Sequence, residues 1–63
     1  MMTKLQQKIF DLIILGFSSQ EIEIKLALAN QTIRNETSKI LKLYDKKSVH
    51  QLTAHYYLYV DQF

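Results

Sequence analysis

The sequence predicts an all-α domain of four helices, and three observations carry that expectation. Of its 63 residues 48% are hydrophobic, none is proline and one is glycine, which favours helices packed on a core over sheet or disorder. Three capping-box spacings, Thr3 with Gln6, Ser18 with Glu21 and Ser48 with Gln51, mark helix starts, because at that separation each side chain can satisfy an orphan backbone N–H of the other residue. Behind each start, apolar residues recur three and four apart.

Helix one begins after Thr3, with Leu5, Ile9, Leu12 and Ile13 as its apolar stripe and Gly16 as a left-handed stop. Ser18 opens a short second helix with Ile22 and Leu26 inward. Ile22, Ile24 and Leu26 also alternate as a strand would, and the preceding cap decides for helix. After Leu28 and Ala29, Asn30 offers an N-cap side chain to a third helix, whose Ile33, Thr37, Ile40, Leu41 and Tyr44 share one face. Gln31, Arg34, Asn35, Ser38 and Lys42 fall on the other face within an arc of roughly 100°. Ser48 opens the last helix, with Val49, Leu52, Tyr56, Val60 and Phe63 as its core stripe. The chain thus reads as a single domain over 1–63, with a helix-turn-helix at about 18–44 and a C-terminal helix at about 48–62.

A chain this short has room for one small core and for no sensor or catalytic domain beside it. It has no cysteine, so neither a disulfide framework nor a thiolate zinc site can staple it. No apolar run approaches the length of a signal peptide or a membrane span, so a soluble, unprocessed, cytoplasmic protein is expected. The formal net charge of +2 is small, but it is unevenly placed. Residues 1–29 cancel, whereas 30–47 hold Arg34, Lys39, Lys42, Lys46 and Lys47 against Glu36 and Asp45. Catalysis needs convergent nucleophile, base, carboxylate or metal-ligand sets, and none is legible. His50 and His55 are five apart, about 140° round a helix, and do not share the face that a metal pair requires. No enzyme activity and no cofactor are expected. Tyr56, Tyr57 and Tyr59 lie in a segment almost without positive charge, which suits packing or an interface better than stacking on single-stranded bases.

Two short helices joined by a tight turn, the second bearing a polar and basic ridge, have the geometry that fits a DNA major groove. The chain reads Gly16-Phe17-Ser18-Ser19-Gln20-Glu21-Ile22, then Leu26, then Ala29-Asn30-Gln31-Thr32-Ile33-Arg34-Asn35-Glu36-Thr37-Ser38-Lys39-Ile40. These segments resemble, without a gap, the DNA-binding domains of the LuxR/GerE family, and the likeness runs from Thr3 to about Leu52. It implies a four-helix, helix-turn-helix fold in which Arg34, Asn35 and Ser38 face bases and Thr32 meets phosphate. Side-chain chemistry agrees, since arginine can fork onto guanine O6 and N7 and asparagine onto adenine N6 and N7. Lys39 and Lys42 then suit phosphates, and Gln31 belongs to the same ridge. The chain departs from the family pattern at Ala29 for serine, Glu36 for histidine, Glu23 for a small alanine, and Lys46 and Val49 in the turn before the last helix.

The expected function is that of a stand-alone bacterial transcription regulator that binds double-stranded DNA sequence-specifically as a homodimer. His50, Ala54, Tyr57 and Leu58 form a second, largely apolar stripe opposite the core stripe of the last helix, and family members pair through that helix. The alternative is a small interaction module that forms a heterodimer with a larger regulator and inhibits it without reading DNA. Ala29, Glu36 and the modest charge favour that alternative; Arg34 and Asn35 favour DNA.

Overall fold

The computed structural model describes residues 1–60, with the backbone alone for Tyr59 and Val60. These residues form α1 (Lys4–Ile14), α2 (Ser19–Leu26), α3 (Asn30–Leu43) and α4 (Val49–Val60), with no strand among the described residues. The alternation of Ile22, Ile24 and Leu26 is helical: Ile22 is 1% exposed and Ile24 82%.

The first two helices start on reciprocal caps. Thr3 Oγ1 accepts the Gln6 N–H at 3.1 Å while Gln6 Oε1 accepts the Thr3 N–H at 3.0 Å. Ser18 and Glu21 repeat the arrangement at 3.2 and 2.9 Å. At the fourth helix only half of the box forms. Ser48 Oγ accepts the Gln51 N–H at 3.2 Å, but Gln51 Oε1 reaches one residue further back, to the Lys47 N–H at 2.9 Å. The third start differs from expectation. Ala29, not Asn30, occupies the N-cap position and no side chain caps the helix. Asn30 is already helical, and its amide donates to Glu23 Oε2 at 2.9 Å, tying the start of α3 to α2.

Three helices end in one way. After α1, Gly16 (φ +94°) turns the chain left-handed, and the Phe17 and Gly16 N–H groups bond the Leu12 and Ile13 carbonyls, a Schellman motif. After α2 and α3 the left-handed residue is Ala27 and then Asp45, each at φ 53°. The same long backbone bond closes each turn, from Leu28 to Glu23 and from Lys46 to Leu41.

The buried core comprises Ile9, Phe10, Ile13 and Ile14 of α1, Ile22 of α2, Ile33 and Ile40 of α3, and Leu52 of α4. The first helix therefore buries a wider band than its predicted stripe: Phe10, Ile14 and Gln6 are inside, whereas Leu5 and Leu12 are half-buried. The cause is that α1 packs against all three other helices, as does α3. Thr37 and Leu41 of α3 are half-buried. Tyr44 follows α3 as its C-cap and stacks on Phe10, ring centres 5.3 Å apart and planes 13° from parallel. Among the described side chains of α4 Leu52 is the deepest, at 1% exposure, while Val49 and Tyr56 are 41% and 37% exposed. Tyr56 meets Phe10 edge-on at 6.0 Å. Phe63 and the side chain of Val60, both placed on the core stripe by the sequence, lie outside the described residues. Among the described residues no helix is long and apolar enough to cross a membrane.

Candidate nucleic-acid interface

The third helix is held by one face. Ile33 and Ile40 are 1% and 0% exposed, and Thr37 lies half-buried between them. At 3.6 residues per turn, Arg34, Ser38, Gln31, Lys42, Asn35 and Lys39 fall about 100° to 240° round from Ile33. All six are exposed, and Thr32, at the edge of the same face, is half-buried. The seven residues that the sequence assigns to DNA are thereby brought onto one side of a rigid element.

Within this ridge Gln31 Nε2 donates to Asn35 Oδ1 at 2.9 Å, an i, i+4 pair that fixes which way the Asn35 amide faces. Its NH2 group and the second lone pair of its oxygen remain for another partner. Among the described residues no hydrogen bond or ion pair engages the side chain of Arg34 or of Lys42. Lys39 differs, since its Nζ lies 3.7 Å from Glu36 Oε1.

Glu36 is turned away from the ridge. Three residues after Ile33 and four before Ile40, it belongs to the flank that meets α1, and its side chain is 17% exposed. Its Oε2 accepts a long 3.4 Å hydrogen bond from Gln6 Nε2. Gln6 is a buried polar side chain that also caps α1, so the start of α1 and the middle of α3 share one polar contact. Glu23 is half-buried, its carboxylate drawn to Asn30 across the turn between α2 and α3. Glu23 and Glu36 are thus both engaged in interhelical contacts.

Glu21 works locally. The Ser18 backbone N–H, and then its hydroxyl, hold the Glu21 carboxyl below the usual carboxylate range. A charged acceptor in the first turn of α2 also suits the positive end of the helix dipole.

On α4, His50 and Ala54 are exposed, with Leu58 65% and Tyr57 47% exposed. From Val49 to Val60 the helix holds no Asp, Glu, Lys or Arg. Tyr57 makes contacts that its spacing does not reveal: its hydroxyl donates to the Ile14 carbonyl at 2.6 Å, and its ring meets Tyr56 edge-on at 5.5 Å. Sequence reasoning also missed the burial of Gln6 and the direction of Glu36. The second was readable in principle from the spacing to Ile33 and Ile40; the burial of Gln6 was not. Among the described residues no group of three His, Cys, Asp or Glu side chains could hold a metal ion.

The described residues thus form an all-helical domain with one exposed, polar and basic helix face and one helix without Asp, Glu, Lys or Arg. Comparison with protein-family models, curated proteins and solved structures finds no match.

Proposed function

We propose that this chain is a bacterial helix-turn-helix transcription regulator of LuxR/GerE type, working in the cytoplasm by laying α3 in the major groove of double-stranded DNA. The observation that carries the reading is the state of α3. Its apolar face is locked on α1 and α2, while Gln31, Arg34, Asn35, Ser38 and Lys42 stand in solvent on the opposite side, with the side chain of Arg34 unengaged among the described residues. A fixed helix presenting a forked cation, an oriented amide and a hydroxyl has the donors and acceptors that base edges require. Arg34 takes guanine, Asn35 takes adenine with Gln31 bracing it, and Ser38 lies one turn on. Thr32 and Lys42 contact phosphates on either side, which sets register without reading sequence.

Pairing of two copies through α4 completes the proposal. A two-fold interface places like residues near one another, and a helix without Asp, Glu, Lys or Arg brings none of their like-charge repulsion to it. Two reading helices then meet two half-sites. The same exposed helix also favours the second reading, a module that caps the matching helix of a larger regulator.

Selection from random duplexes separates the two. Recovery of a short inverted repeat supports readout by paired copies. Failure to retain any duplex at low salt removes the DNA reading and leaves the interaction module.

A further inference from the structure

Lys39 lies on the ridge, yet it is the ridge cation with a counter-charge in hand. Its Nζ, on a side chain 64% exposed, sits 3.7 Å from Glu36 Oε1, and the other oxygen of that carboxylate is held by Gln6 at 3.4 Å. Gln6 is in turn fixed by its hydrogen bonds with Thr3. The carboxylate is therefore also tied to the α1 side, by one long hydrogen bond. With Lys39 largely in solvent, a pair of this kind adds little to folding stability, so stability does not explain it. Its position does suggest a consequence for binding. Glu36 is about 60° round α3 from Lys39, well within a Debye length of any phosphate that Lys39 could reach.

We infer that Glu36 is a positioning residue that sets the strength of phosphate binding, keeping Lys39 in a charge-neutral pair on the flank of α3. The inference rests on the reading of α3 as a DNA-binding helix and deepens it. A lysine contributes to affinity by displacing counterions condensed on DNA, and it does so as a net positive charge. Paired with that carboxylate, Lys39 approaches the duplex as a neutral unit and displaces little. Arg34 and Lys42 are then the working cations of the helix, and the domain binds non-specific DNA more weakly than its lysine count implies. Weak background binding leaves more of the total affinity to base contacts, which favours discrimination between sites.

The test is a salt titration of binding to a mixed-sequence duplex by the full chain and three variants, Glu36→Gln, Lys39→Ala and the double variant. Glutamine keeps an oxygen for Gln6 and removes the charge, and thermal melting checks that each variant folds. Glu36→Gln steepens the slope of log affinity against log salt by about 0.9, the share of one phosphate contact, and tightens binding at low salt. Adding Lys39→Ala to it cancels that gain, while Lys39→Ala alone moves the slope by less than half as much. A slope unchanged by Glu36→Gln, or a gain that survives Lys39→Ala, overturns the inference; the latter shows only that a negative charge has left the protein. Absence of salt-dependent binding by the unaltered chain overturns the reading of α3, and the inference with it.

Discussion

The hydroxyl of Tyr57 donates a 2.6 Å hydrogen bond to the carbonyl oxygen of Ile14. Ile14 closes α1, where the last four carbonyls of a helix lack partners within it. The bond fastens α4, which among its described side chains places Leu52 in the buried core, to the helix that contributes half of that core. It also separates two roles on one face: Tyr57 is an anchor at the edge of the proposed pairing stripe, and Leu58 is not.

Substitutions should resolve those roles. Tyr57→Phe keeps the ring and loses the bond, and it should lower stability to urea by about 0.5–1.5 kcal/mol with self-association unchanged. Leu58→Glu, at a position 65% exposed, should alter stability by no more than about 0.5 kcal/mol and convert a dimer to a monomer in sedimentation. An unaltered chain that already sediments as a monomer would remove pairing through α4.

The two left-handed helix ends with opposite residues offer a matched pair. A Cβ on Gly16 would meet nothing within 4 Å, so Gly16→Ala isolates the backbone cost of φ +94° and should destabilise by about 1–2 kcal/mol. Ala27 already bears that kind of cost at φ 53°. Ala27→Gly relieves it while loosening the unfolded chain, for a net gain of up to about 1 kcal/mol. Denaturation midpoints moving in the same direction for both would contradict the turn geometry.

What could be read in advance follows from how local each feature is. The caps at Thr3 and Ser18 involve residues three apart, and both form as the spacing demands. Asn30 misleads because its cap-like identity is local while its partner, Glu23, comes from the preceding helix. The ends at Ala27 and Asp45 lack the glycine that marks the end at Gly16, although all three residues have positive φ. Burial of Phe10, Ile14 and Gln6 depends on α1 being surrounded by three helices, which one-helix periodicity cannot show. The ridge is legible because both its faces repeat with the helix period, and the Gln31–Asn35 bond is the ordinary product of i, i+4 spacing.

Acid should weaken the start of α2 in a defined window. The Glu21 carboxyl is held below its ordinary value of 4.5 by the Ser18 N–H and hydroxyl, so the unfolded chain takes up this proton first. The associated stability is complete above about pH 4.5 and is lost as pH falls through the lower folded value. Glu21→Gln should therefore flatten the fall of melting temperature as the pH drops below about 4.5. An equal fall in both proteins would mean that Glu21 is not a source of the acid sensitivity.

Binding of Arg34→Ala to a selected duplex and to a scrambled one, across salt, tests most directly whether α3 reads DNA. If Arg34 forks onto a guanine, its loss should cost on the order of 1–3 kcal/mol on the selected site, much less on the scrambled one, and relax selection at one base position. Lys42→Ala, measured alongside, should weaken both duplexes alike and flatten the salt slope by about one unit. Equal losses for Arg34→Ala on both duplexes would reduce Arg34 to a phosphate contact, and affinity indifferent to salt in the unaltered protein would contradict DNA binding by α3 altogether.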